Sequence, residues 1–419
     1  MTLTDLRQTF DAAAQLRDAG VVLELGGHNS ATLATADLIV ASPGVPLEQP
    51  VFDEARTRGV EMIGELELAF RWLRGPVIAI TGTKGKSTTT TLIARMLAAS
   101  GRQALVGGNI GIPLSSQVQA STPETIHVVE ASSFQLETTT TFRPWIALWL
   151  NFADDHLDRH SDIDAYAAAK ARIFANQRSG DWSVVNADDP VVMTQSAMTQ
   201  ARRVAFSPSG RISDGFAASG DWIVRRTTTA EERLVPIAAV ELTGAHMLHN
   251  AVAAVAVSSI AGVEPAAMVA AIRGFHGLPH VMEPAGQVRG VRFVNDSKAT
   301  NVEAARRSIE SFARNVVAIV GGRYKGGDFG ELREPLRTRG LAVVAIGEAA
   351  PRVREALSGT VPVLDAASMD EAVERAFAAA GSDGVVVLAP ACSSFDWFSD
   401  YAERGNAFKA AVERLKTTV

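Results

Sequence analysis

The chain has 419 residues, 47% hydrophobic and 21% charged, with a formal net charge of −6. That length predicts two or three domains with sizeable cores. The acidic balance excludes a general nucleic-acid or anionic-membrane surface, while the single cysteine, Cys392, excludes an internal disulfide and fits a reducing cytoplasm.

Residues 1–7 lack the basic-then-apolar pattern of a signal peptide. No apolar run approaches the roughly 20 residues that span a bilayer, so no membrane insertion is expected. Over 1–75, short apolar runs alternate with helix-like stretches. Runs at 21–25 and 38–41 read as strands ending near Gly26-Gly27-His28 and Ser42-Pro43-Gly44. Gly75-Pro76 marks a seam. A long block, 76–277, carries strands at 77–80, 126–130, 146–151 and 183–186 with helices between them. A last block, 278–419, has strands at 291–294, 316–320, 341–346 and 385–388, each running into a polar or glycine-rich loop. Strands alternating with helices imply an α/β fold with parallel sheets, in which ligands gather at the carboxyl ends of strands.

Gly82-Thr83-Lys84-Gly85-Lys86-Ser87-Thr88 follows the apolar run Val77-Ile78-Ala79-Ile80 and precedes a helix-like segment, 89–99. Strand, glycine turn and helix form a phosphate cradle, in which backbone N–H groups and a helix N-terminus face an anion. Lys86 can reach β/γ-phosphates, and the Ser87 hydroxyl can ligate Mg²⁺. Ile80 stands where the general P-loop has a glycine.

Glu130 ends the run Ile126-His127-Val128-Val129, a placement suited to a Mg²⁺ ligand because hard cations take carboxylate oxygen. Residues 151–160, Asn-Phe-Ala-Asp-Asp-His-Leu-Asp-Arg-His, read equally as a metal or proton site around His156 and as a capped polar turn. Lys170 falls inside the apolar stripe Ile163, Tyr166, Ala167, Ile173, Phe174 of a helix over 163–177. By pattern alone it reads as a lysine that snorkels out along its stem; the alternative is a desolvated amine able to form a carbamate. Three loops of the last block, 295–301, 321–328 and 390–396, follow strands and offer lysines and hydroxyls to one shared pocket.

Together these motifs resemble the Mur ligases, and within them the D-glutamate-adding branch. The resemblance rests on 81–88, Ser132-Ser133-Phe134-Gln135-Leu136-Glu137, Asn295-Asp296-Ser297-Lys298-Ala299-Thr300-Asn301, Pro390-Ala391-Cys392, Phe395-Asp396 and Arg404-Gly405-Asn406. The Asp-Asn-Pro-Arg signature of the diaminopimelate-adding relatives is absent. The resemblance implies three α/β domains with parallel or mixed sheets: a Rossmann-like UDP-substrate domain (1–75), an ATP domain (76–277) and an amino-acid domain (278–419). It implies ATP-dependent amide ligation in peptidoglycan precursor synthesis. The carboxylate of UDP-N-acetylmuramoyl-L-alanine becomes an acyl phosphate, which the amine of D-glutamate attacks. L-glutamate and a nucleotide-binding remnant without turnover are the alternatives.

By the same resemblance Gly82, Thr83, Lys84, Gly85, Lys86, Ser87, Thr88, Asn250 and Asp296 bind ATP. Ser87 and Glu130 hold one Mg²⁺, and His156 with carbamylated Lys170 serves a second, which reverses the reading of Lys170 from pattern. Lys86, His156, Lys170 and Lys298 are catalytic. Asp5, Arg7, Ser42, Gly44, Asn109 and Ser132 face the UDP-substrate, and Thr300, Lys325, Ser394 and Tyr401 face the amino acid. A cytoplasmic monomer is implied. Three departures stand out. His246-Met247 replaces His-Asn, and His280-Val281 replaces His-Arg, which removes a guanidinium from the ATP site. The family's first strand, glycine-rich turn and helix are missing, so the expectation is a natural start upstream of Met1, with exposed sheet edges in the shortened chain.

Overall fold

The computed structural model describes residues 1–10, 12–42, 45–153, 160–240, 245–275 and 277–418. Two compact units divide the chain, Met1–Phe275 and His276–Val419.

The first unit opens with four short strands: β1 (Thr2–Asp5), β2 (Val22–Leu25), β3 (Leu38–Ala41) and β4 (Glu61–Gly64). Among the described residues they make two separate parallel pairs, β1 with β2 and β3 with β4. A small core of Leu33, Ile39, Phe52 and Ala55 lies under β3. Nine strands follow: β5 (Val77–Thr81), β6 (Ala104–Gly108), β7 (Ile126–Glu130), β8 (Ile146–Trp149), β9 (Trp182–Asn186), β10 (Arg202–Ser207), β11 (Gly215–Ser219), β12 (Trp222–Arg226) and β13 (Glu231–Pro236). They form one sheet in the order β13-β12-β11-β10-β9-β8-β5-β7-β6. Pairings from β6 through β11 are parallel, while β11–β12 and β12–β13 are antiparallel, so the sheet is mixed, within the expected parallel or mixed architecture.

β5 is an interior strand, third from the β6 edge and paired with β7 and β8. All five of its residues are buried, which is why it reads as an unbroken Val/Ile run rather than an alternating one. Burying a side chain such as Ile78 or Ile80 contributes roughly 1.5–3 kcal/mol. The strand order places the loop after β5 beside the loops after β7 and β8, the place where α/β sheets bind ligands. Helix Glu65–Phe70 joins the same core through Leu66 and Ala69. Glu67 fastens it there: the buried carboxylate accepts from the amides of Thr140, Thr141 and Phe142, from the hydroxyls of Thr140 and Thr141, and from Arg71. Burial alone would raise its pKa, but these donors outweigh it and hold the group at about 2.

The second unit contains β14 (Glu283–Val288), β15 (Val291–Asn295), β16 (Val316–Gly321), β17 (Gly340–Ile346), β18 (Val363–Ala366) and β19 (Val385–Leu388). They form a six-stranded sheet in the order β14-β15-β19-β16-β17-β18, with only β14–β15 antiparallel among the described residues. Two apolar clusters cover its faces. One gathers Phe293, Ile319 and Val386 with Phe408 and Val412; the other gathers Val320, Val343 and Val387 with Ile309 and Leu336.

Candidate active site

The glycine turn after β5 leads into helix Lys86–Ala99, whose N-cap is Gly85 at φ 81°. The first amides of an α-helix have no intrahelical acceptor, and the helix dipole adds positive potential there. The loop is braced from the next strand. Asn151, just past β8, accepts through Oδ1 from the amides of Thr83 (3.1 Å) and Lys84 (2.9 Å), and its Nδ2 donates to Lys84 O (2.9 Å). The Thr83 hydroxyl lies 3.2 Å from Ala153 O and 3.4 Å from the Tyr166 hydroxyl. The anion-facing donors are thus the helix's first-turn amides, since Thr83 and Lys84 spend theirs on Asn151. The buried side chain of Asn250 packs on Gly85: a Cβ there would lie 2.2 Å from Asn250 Oδ1. Only glycine fits, on both backbone and steric grounds. Asn250 and the phosphate loop, assigned together from sequence, are neighbours.

Two lysines converge on one carbonyl. Lys86 Nζ donates to Gly82 O (3.0 Å) and Thr83 O (3.1 Å), and Lys170 Nζ also donates to Gly82 O (3.0 Å). Lys170 is 1% exposed and its Nζ lies 4.5 Å from the centre of the Tyr166 ring. It is therefore held inward at the phosphate loop rather than snorkelling out, contrary to the reading from pattern alone. His160 joins this wall. It is stacked on Phe134, hydrogen-bonded through Nε2 to the Ser133 hydroxyl (3.0 Å) and paired through Nδ1 with Glu137 (3.1 Å). His156 lies outside the described residues.

Glu130 ends β7 directly beside Ile80 of β5. One carboxylate oxygen, Oε1, accepts from Asn109 Nδ2 at 2.7 Å, and the Asn109 amide donates to Glu130 O at 2.8 Å. The other, Oε2, is buried and has no hydrogen-bond partner among the described residues. A buried carboxylate oxygen left without a donor is costly unless a cation meets it. The donor set therefore fits Mg²⁺, with the half-buried Ser87 at the helix start as the second oxygen donor. Among the described residues no group of three or more His, Cys, Asp or Glu forms a fuller cage. Ser132, expected to face the UDP-substrate, caps helix Ser133–Glu137 in a capping box with Gln135.

Asp5, Arg7 and Ser42 line one cavity of about 820 Å³ in the N-terminal region. Asp5 and Arg7 also bind each other (2.6 Å), and that hydrogen bond holds the Asp5 carboxyl at about 2. Gly44 lies outside the described residues.

In the second unit the three predicted loops are laced together. The Ala391 amide donates to Ala299 O (2.9 Å) and the Gly321 amide to Pro390 O (2.8 Å), while Arg323 and Ser393 exchange backbone hydrogen bonds. Gly322, at φ 129°, permits this approach; a Cβ would lie 2.3 Å from Ser393 O. Arg404 is the clamp that sequence reasoning left without a role. Only 1% exposed, it donates to Ser297 Oγ (3.0 Å), Ser297 O (2.9 Å) and Cys392 O (3.0 Å), and burial lowers its pKa to about 10. Its place on the stripe Arg404, Phe408, Ala411, Val412, Leu415 of helix Tyr401–Thr418 was the available signal. Asp296 is buried, accepts from the Met282 amide (3.1 Å) and the Ser308 hydroxyl, and is pushed upward in pKa by burial. Lys298 and Thr300 are half-buried on the first loop. Lys325 Nζ lies 5.3 Å from the centre of the Phe395 ring. Ser394 is buried, whereas Tyr401 is exposed and meets His280 edge-on. The non-glycine Ala391 has φ 58°, backbone strain of the kind found in binding loops.

Three sequence profiles match the chain: the MurD-like Mur ligase N-terminal domain at 1–64, the Mur ligase middle domain at 80–258, and the Mur ligase glutamate ligase domain at 282–392. Curated relatives named UDP-N-acetylmuramoylalanine--D-glutamate ligase include one from Desulfosudis oleivorans, 42% identical over 97% of this chain and 88% of its own length. A second, from Acidobacterium capsulatum, is 43% identical over 98% and 90%, and one from Geobacter metallireducens 42% over 100% and 92%. Among solved structures, the UDP-N-acetylmuramate-alanine ligase of Thermotoga maritima superposes with a TM-score of 0.54 at 18% identity, covering 100% of this chain and 94% of its own. The pseudomurein peptide ligase type C of Methanothermus fervidus gives 0.56 at 17% identity over 99% and 94%.

Proposed function

The chain belongs to the Mur ligase family, and from that premise we propose that it is an ATP-dependent, ADP-forming ligase adding D-glutamate to UDP-N-acetylmuramoyl-L-alanine for peptidoglycan synthesis. One observation carries the reading: identity of about 42% to D-glutamate ligases runs along essentially the whole chain.

The chemistry divides between the two units. A carboxylate oxygen of the UDP-linked alanine attacks the γ-phosphorus of ATP, and the bond to the bridging oxygen breaks to release ADP. The amine of D-glutamate then attacks the acyl carbon, a proton leaves nitrogen, and inorganic phosphate departs. Lys86 and the first-turn amides of helix Lys86–Ala99 offset the charge of the transferring phosphoryl group. Asn250 holds Gly85 in position and Asn151 holds the loop before it. Mg²⁺, which the family requires, supplies a Lewis acid for the phosphoryl oxygens; Ser87 and Glu130 would hold it. Lys298, Thr300, Lys325, Ser394 and Tyr401 receive the amino acid, two ammonium groups and hydroxyls suiting a dicarboxylate. Asp296 serves the nucleotide ribose. Asp5, Arg7 and Ser42 serve the UDP end.

Lys170 carries a carbamate in this reading. Its amine attacks CO₂, loses a proton and becomes an anionic oxygen ligand. Two features support it: burial, and the carbonyl shared with Lys86, which sets two cations side by side. A carbamate replaces that approach with an anion beside Lys86. Signal from carbon-13 bicarbonate on Lys170, together with a rate loss in Lys170→Ala, is expected; full rate in Lys170→Ala removes the proposal. The protein is further read as a cytoplasmic monomer, where its ATP is supplied; light scattering and cell fractionation check both points.

The deciding assay supplies ATP, Mg²⁺ and UDP-N-acetylmuramoyl-L-alanine with D- or L-glutamate, and follows phosphate release and product mass. Product with D-glutamate alone is expected. Product with L-glutamate, or none with either, overturns the assignment.

A further inference from the structure

His127 is a fully buried histidine of β7, on the strand that ends in Glu130. Its ring lies between two other buried polar side chains. Nε2 is 2.8 Å from the Ser121 hydroxyl, and Nδ1 is 3.0 Å from Gln117 Oε1. Ser121 Oγ also accepts from the amides of Arg74 (2.9 Å) and Gly75 (3.4 Å), while Gln117 Nε2 donates to Val106 O (2.7 Å). These contacts fix the proton positions. A hydroxyl has two lone pairs and one hydrogen. The two amides take the lone pairs of Ser121, so its hydrogen is donated to Nε2. His127 is then the neutral Nδ1–H tautomer, and Nδ1 donates to Gln117. Burial favours the same state, because it lowers the pKa of the imidazole. The relay is satisfied at each step and runs one way, from Ser121 to Val106.

Both ends of the relay lie where the proposed reaction is organised. Arg74 and Gly75 stand between the regions matched by the N-terminal and middle-domain profiles, 1–64 and 80–258. They lead through Pro76, whose carbonyl accepts from the His127 amide (2.9 Å), into β5 and the phosphate loop. At the other end Val106 belongs to β6, the edge strand of the nine-stranded sheet. Gln117 covers that edge closely: a Cβ on Gly107 would lie 2.3 Å from Gln117 Nε2. Gly107 and Gly108 pair with Val129 and Glu130. Asn109 follows and gives both its amide and its side chain to Glu130. We infer that Ser121, His127 and Gln117 are positioning residues: their relay fixes the end of β6 against the 74–76 seam, and so fixes Asn109, which aims Glu130 at its cation. This rests on the reading of Glu130 as a Mg²⁺ ligand. A carboxylate held by one oxygen presents the other to a metal only as firmly as its holder is itself held.

Two measurements on the full chain test this, and neither needs turnover. Nitrogen-15 spectra of histidine-labelled protein read the tautomer with no ligand present. A protonated Nδ1 and a bare Nε2 on His127 are expected at neutral pH; the opposite tautomer or an imidazolium overturns the relay. Calorimetry then reads ADP affinity with and without Mg²⁺, and the ratio is the gain that the metal's ligands supply. His127→Leu should cut that gain about tenfold, the lower end of the loss seen when an outer partner of a metal ligand is removed, with metal-free ADP affinity kept within about twofold. The same change should have no further effect in an Asn109→Ala background, which a merely structural role would not produce. Gln117→Met keeps the volume and removes only the relay's acceptor, so it gives the same reading should His127→Leu fail to fold. Glu130→Gln separates the two failures. A gain that survives Glu130→Gln overturns the metal reading and the inference with it. A gain lost in Glu130→Gln but unchanged in the relay variants overturns the inference alone.

Discussion

The nine-stranded sheet and the two half-sheets ahead of it draw on the same kind of residue, yet only one of them is closed. Leu38-Ile39-Val40-Ala41 is as apolar as Val77-Ile78-Ala79-Ile80, but Val40 is exposed while every residue of β5 is buried. β-Propensity reports fit to a half-buried pleated surface, and the surface is made by neighbours. β5 has a strand on each side and helices on its faces; among the described residues β3 has one partner. The difference teaches where chemistry can be held firmly. The phosphate loop, Glu130 and Asn151 hang from the ends of three adjacent strands of the closed sheet, whereas Asp5, Arg7 and Ser42 sit at the mouth of an open one.

Four substitutions sharpen or break that contrast. Lys86→Ala on the closed side should lower kcat by roughly 10²–10³, as loss of a charge-stabilising donor does, with unchanged thermal unfolding; a smaller loss would detach the loop from catalysis. Ile78→Ala, on a fully buried interior strand of the same sheet, should destabilise by roughly 2–5 kcal/mol, read by denaturant unfolding. Glu67→Gln should cost about 2 kcal/mol by weakening the acceptor that five backbone and hydroxyl donors share. The same group sets a pH signature. Its folded pKa lies at about 2, below the ordinary 4.5, so its contribution is complete above about pH 4.5 and is lost as pH falls toward 2. Acid unfolding of wild type should therefore steepen over that window, and the Gln variant should lack the steepening. Val40→Ala, on the open side, should change stability by less than about 0.5 kcal/mol; a core-sized loss would show that β3 is already covered.

Continuous apolar runs were readable to within a residue or two. The strands at 77–81, 126–130 and 385–388 stand where the pattern puts them because every residue of each is buried and apolar residues dominate them, His127 being the one polar residue inside. β1 leaves only a weak pattern because Thr-Leu-Thr-Asp has one strongly apolar residue. The strands from β11 to β13 escaped because their outer residues are charged and the sheet edge they form is solvated. The phosphate loop and the three loops of the second unit were legible as glycine and lysine patterns after strands. Asn151 was not, because bracing through main-chain hydrogen bonds leaves no periodic trace. Arg404 was visible by the same anomaly that marked Lys170, a cation on an apolar stripe.

The brace that Asn151 places on the glycine turn has a thermodynamic consequence. Thr83 and Lys84 are already immobilised by three hydrogen bonds from one side chain before any ligand arrives. Their backbone freedom, worth about 1–2 kcal/mol per residue, is surrendered during folding and is not lost again on association. The nucleotide therefore meets a turn whose conformational entropy has been removed in advance, and more of its interaction free energy appears as affinity.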